Sequence, residues 1–156
     1  MPKKIKNKHG VQQVNLPKLP HGYKNLSDLI VEYARPMLDE AETVEMQKQA
    51  IEIAIFCWKN SLLSEDDRIK EIETMVKENK SGREGAVEMI KYMIDRRLKI
   101  YPDVNRQIMA HEVAKLDNGM LVFFLASTGA DVDLEQTRTE KVYVKVDKTY
   151  IKQKPG

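Results

Sequence analysis

The sequence predicts an α+β fold, with a four-helix N-terminal part followed by a C-terminal three- to four-stranded antiparallel β-meander. Three observations carry that reading. Apolar residues recur at helical spacing between about residues 25 and 101, the period falls to two beyond Pro102, and Asn118-Gly119 separates two apolar runs where a hairpin would turn. At 156 residues, 42% hydrophobic and 32% charged, the chain is long enough to bury one core without help from a metal or a disulfide. We divide it into a basic extended arm, residues 1–22, and a single α+β domain, residues 23–156, helical over 23–101 and a β-meander over 105–152.

The arm contains Pro2, Pro17, Pro20, Gly10 and Gly22 and shows neither period, so it reads as extended. Val11, Val14, Leu16 and Leu19 suggest that its second half lies on the body and only residues 1–10 are free. The first helix is expected to start at Asn25 or Ser27, both good capping residues, with Leu26, Leu29, Ile30 and Tyr33 on one face. Pro36, which lacks a donor N–H, kinks or breaks it. A second helix over about 43–63 is apolar around most of its circumference, the pattern of a helix at the buried centre of a domain. Ser64 followed by Glu65, Asp66 and Asp67 caps a third helix, whose narrow stripe of Ile69, Ile72, Met75 and Val76 marks it as a surface element. The fourth, over about 83–100, turns Val87, Ile90, Met93, Ile94 and Leu98 to the core and stops before Pro102.

Residues 106–116 and 120–126 flank Asp117-Asn118-Gly119, and Asn-Gly favours a two-residue type I′ hairpin turn. The run 120–125 is continuously apolar, so its strand is expected to be central and covered on both faces. Residues 142–146 alternate strictly and carry lysine on one face, which reads as an exposed edge. A short last strand over 149–152 is expected to pair with it across a turn at Asp147-Lys148.

Charge is segregated along the chain. Residues 1–27 carry six lysines and no acid, residues 28–140 carry 15 Lys and Arg against 23 Asp and Glu, and residues 141–156 carry five lysines against one Asp. Basic ends on an acidic body can contact an anionic partner or fold back on the body itself. One cysteine, Cys57, excludes an internal disulfide, and the absence of a long apolar run excludes a membrane-spanning helix. Lysines at the N-terminus followed by polar residues do not resemble a secretion signal, so a cytoplasmic location is expected.

Chemistry-bearing patterns are sparse. Cys57 lies between Phe56 and Trp58 on the most apolar helix and reads as a core thiol. His9, His21 and His111 are too scattered for a zinc site, and no phosphate-binding glycine motif or G-x-S-x-G elbow occurs. Asp131, Asp133 and Glu135 alternate in a polar loop but lack the glycine and terminal glutamate of a calcium loop. We therefore expect no catalytic residues, no metal and no cofactor.

Arg96, Arg97, Lys99 and Arg106 form the compact basic cluster of the acidic body and, with Lys3, Lys4, Lys6 and Lys8 of the arm, are the candidate anion- or partner-binding residues. The leading expectation is a non-enzymatic accessory protein that docks on a protein partner, assisted by its basic arm. Tyr92, Tyr101 and Tyr143 are candidate anchors. The alternatives are nucleic-acid association through the arm and the arginine cluster, and an enzyme of unfamiliar type built on His111 with neighbouring carboxylates. A homodimer through the edge strand at 142–146 is a further expectation.

Overall fold

The computed structural model describes residues 5–6, 12–13, 19, 22–78, 83–129 and 143–152. Helices occupy residues 26 to 100: α1 (Leu26–Tyr33), α2 (Arg35–Leu38), α3 (Val44–Ser61), α4 (Glu65–Glu78) and α5 (Arg83–Ile100). Three long strands follow, β3 (Arg106–Lys115), β4 (Leu121–Gly129) and β5 (Tyr143–Ile151), paired antiparallel in the order β5-β4-β3. The protein is thus α+β, with the helices preceding an antiparallel meander. Two strands of two residues each, β1 (Ile5–Lys6) and β2 (Gln12–Gln13), extend the sheet beyond β5, β2 pairing parallel with Tyr143 and Val144.

Local sequence accounts for most helix boundaries. Pro36 sits in the first turn of α2, and the chain breaks at Ala34 rather than running through. Thr43 caps α3, its hydroxyl accepting from the Met46 N–H at 3.1 Å. Ser64 accepts from the Asp67 N–H at the start of α4. No residue of α4 is buried, and its firmest tether is Arg68, which donates to the carbonyls of Asn60, Ser61 and Leu63 at the end of α3.

The start of α1 is different. Asn25 occupies the N-cap position without a side-chain bond to the helix. The free N–H groups of Leu26 and Ser27 donate instead to the carboxylate of Asp147, at 3.2 and 3.0 Å. Thr149, two residues on, bonds Asp28 and Ser27 through its hydroxyl. This arrangement corrects the expected turn at Asp147-Lys148. A buried carboxylate engaged by two backbone donors needs Asp147 on the helix side of a continuous strand, and β5 runs unbroken through it.

The hairpin also departs from its two-residue form. Leu116 N–H bonds the Met120 carbonyl and Gly119 N–H the Leu116 carbonyl, with Gly119 at φ +84°, so the loop has three residues and its glycine takes the left-handed position.

The core lies between the inner face of the sheet and the helices. Along β4, Leu121, Phe123 and Leu125 point inward, and α1 crosses β4 and β5 while α3 lies against β3 and α5 packs on α3. Trp58 on α3 is fully buried, its indole N–H donating to the Arg106 carbonyl at 2.9 Å, and Tyr33 and Tyr101 meet it edge-on or tilted. On the far side of α3, Met46 and Ile53 are exposed. No helix among the described residues is long and apolar enough to cross a membrane.

Candidate functional site: a docking face on the sheet

The three long strands present a second face, away from the helices, and a bulge in β3 decides which residues are on it. Ile108 is buried on the inner face opposite Ser127, and the register then shifts at Met109. The extra residue turns Ala110, Glu112 and Ala114 outward and sends His111 and Val113 inward. Without it, Glu112 would point into the core.

The exposed part of the outer face is a grid three residues wide and three deep, and beyond it on the same face Thr128 and Val144 are buried. Its rows are Ala110, Ala126 and Val146, then Glu112, Phe124 and Lys148, then Ala114, Val122 and Tyr150. Seven of these nine positions are apolar, and the two charges lie on opposite sides of Phe124 in the central row. Val122 is recessed at 3% exposure, whereas Phe124, Val146 and Tyr150 are 37%, 47% and 51% exposed. Among the described residues no helix packs there. Among the described residues helices cover the inner face of β4 only, while on the outer face Val122 and Thr128 are also buried. A shallow depression of about 220 Å³ lies beside Phe124, lined in part by Ala110, Glu112, Ala126 and Val146. Lys148 extends toward the Tyr150 ring, 5.9 Å from its centroid.

The basic cluster is dispersed among three tasks. Arg96 donates to the carbonyls of Tyr33 and Glu32 at the end of α1, both at 3.1 Å. Arg97 is buried over the Trp58 ring, 4.1 Å from its centroid, and donates to the carbonyls of Tyr101 and Val104. Burial lowers its pKa, an effect partly offset by Tyr33. Arg106 is buried near Asp147, whose charge partly offsets the lowering that burial imposes. Lys99 is exposed at the end of α5. Lys3, Lys4 and Lys8, the side chains of Lys6 and Tyr143, and the carboxylates of Asp131, Asp133 and Glu135 lie outside the described residues.

Of the other anchor candidates, Tyr92 is exposed and Tyr101 is buried, its phenol pushed up to about 12 by burial and by a hydrogen bond with Tyr23. Tyr92 borders a second depression with Pro36, Glu40, Glu88 and Met89 between α2 and α5. The sequence reading missed Phe124, Val146 and Tyr150. Their signal was present in the alternation of Val146, Lys148 and Tyr150, which becomes informative once β5 is known to be one strand.

His111 meets a carboxylate, its Nε2 lying 2.6 Å from Glu52 Oε2 on α3. Two such groups can shuttle a proton, but among the described residues no set of three His, Cys, Asp or Glu side chains is placed to hold a metal ion. Cys57 is buried, its thiol pushed up to about 12 by burial, which disfavours the nucleophilic thiolate.

Searches against family models, curated proteins and solved structures return no match.

Proposed function

We propose that this is a non-enzymatic docking protein that binds a protein partner through the outer face of its sheet, with the basic N-terminal arm assisting. The observation that carries the reading is the apolar grid centred on Phe124, in which Phe124, Val146 and Tyr150 are exposed and which no described helix covers. A helix-covered inner face satisfies the fold, so large apolar side chains left on the other face mark a surface that gains free energy by being covered. The arm is suitably placed, because β2 pairs with the start of β5 at one border of the same sheet.

A nucleic-acid partner has less support. Arg96 and Arg97 direct their guanidinium groups at backbone carbonyls, which leaves the arm as the main source of positive charge for phosphate contacts. Affinity purification from native cytoplasm at low and high salt, with the wild type and Phe124→Glu side by side, tests the proposal. A protein partner retained at high salt and lost with Phe124→Glu supports it. Nucleic acid released at high salt, indifferent to Phe124→Glu, refutes it and favours the arm.

A further inference from the structure

Building on the docking reading above, we infer that the occupant of the outer sheet face is a second copy of this chain, packed face to face about a two-fold axis parallel to β4. The inference rests on the pattern of the grid. Two sheets stacked about 10 Å apart can be related by a two-fold axis lying between them, either along the strands or across them. An axis along β4 keeps every row level and exchanges its two sides, so β3 of one copy lies over β5 of the other.

Both shape and charge then match. Ala110 and Ala114 on β3 face the second copy's Val146 and Tyr150, small against large, and the depression bordered by Ala110 and Phe124 receives Val146. Glu112 lies over Lys148 on both sides, and Phe124 meets its own copy on the axis. An axis across the strands fails on both counts, since it sets Glu112 against Glu112, Lys148 against Lys148 and Val146 against Tyr150. The natural twist of the sheets adds a rotation of about 30° without changing which sides are exchanged.

The size of the grid sets the strength. Three strands about 4.8 Å apart and three rows about 7 Å apart span roughly 300 Å² per copy, well below the roughly 800 Å² per partner of a stable complex. Association is therefore weak, reversible and evident only at high protein concentration.

Sedimentation equilibrium of the full chain across a wide concentration range tests this, with circular dichroism showing that each variant is folded. The wild type is expected to shift reversibly from monomer to dimer, and Phe124→Glu to remain monomeric. Glu112→Lys and Lys148→Glu are each expected to weaken the dimer at least tenfold, because each places like charges in contact. An equimolar mixture of those two variants is expected to restore it, since every facing pair is again opposite in sign, and so is the double variant carrying both changes. Should one single variant fold poorly, the double variant still tests the charge match.

A wild type that remains monomeric, single variants that dimerise like the wild type, or a mixture that fails to recover would each overturn the inference. The docking reading fails separately. If the wild type is monomeric but Phe124→Glu loses a different protein in the affinity purification, the face docks a foreign partner and only the second copy is refuted. If it is monomeric and captures nothing, both are refuted. A monomer destabilised by Phe124→Glu overturns the inference in favour of cover by another segment of the same chain.

Discussion

Replacing Asp147 with alanine should destabilise the whole domain, although the residue lies on the last strand and is far in sequence from the helix it serves. Its carboxylate is the acceptor for the N–H groups of Leu26 and Ser27, both buried residues at the start of α1. Each donor left without a partner costs about 1–3 kcal/mol, and loss of a helix cap alone costs about 0.5–2 kcal/mol. Removing a buried carboxylate returns part of that, because burial raises the Asp147 pKa and so disfavours its charged form. The net expectation is a loss of about 2–3 kcal/mol. With a urea slope of about 2 kcal/mol per molar, the midpoint falls by about 1 M. Asp147→Asn keeps one acceptor oxygen and should lose about half as much. Equilibrium urea unfolding of the three proteins is the assay. An Asp147→Ala midpoint within error of the wild type, or an Asn variant as damaged as the Ala variant, would show that the carboxylate does not cap α1.

The same residue gives a pH dependence of defined sign. Burial holds its folded pKa above the unfolded value despite hydrogen bonds from Ser27 and Leu26 that pull it down, so the native state binds the proton more tightly. The stability this group contributes is greatest below the unfolded carboxyl value, falls as pH rises to the folded value and is constant beyond. Urea midpoints of the wild type relative to Asp147→Asn should therefore decline as pH rises above the ordinary carboxyl range. Arg97→Met should cost about 2 kcal/mol, since it leaves the Val104 carbonyl without its guanidinium donor and the Tyr101 carbonyl with the Val104 N–H alone, and should shift the emission of Trp58, the single tryptophan. Cys57, with its thiol pushed up to about 12, should resist a disulfide reagent at pH 8 in the native protein and react promptly once unfolded. Rapid native reaction would mean that α3 opens locally.

What was legible in the sequence was what short-range chemistry decides. Proline at 36 and 102, the Ser64 cap, and the change of period beyond residue 102 act over a few residues, and the structure places its breaks accordingly. The errors came from partners distant in sequence. Asp147-Lys148 has turn-forming composition, and only the donors of α1 make it a strand interior. Arg96, Arg97 and Arg106 form a cluster in sequence, yet each is directed at a different part of the fold by carbonyls or a ring that spacing does not reveal. The outer face was hidden by the run 120–125, whose continuous apolarity does not say which side the helices take. One clue was available. Ile108 and Val113, five residues apart, cannot share a face of a regular strand, so both being apolar within β3 anticipates the bulge at Met109 that creates the grid.

The bonds between the start of α1 and β5 also constrain the order in which the chain can fold. Synthesis delivers Leu26 and Ser27 long before Asp147, 120 or so residues later, and until then the first helix has exposed donors and no lid of strand beneath it. The hairpin of β3 and β4, whose contacts are local, can form as soon as it emerges, whereas closing α1 onto β5 brings together residues 121 apart in sequence. Through that closure the first helix and the final strand are bonded directly to each other. A nascent or truncated chain without β5 would leave the N-terminal donors of α1 unpaired and the edge of β4 open, which places an aggregation hazard late in synthesis.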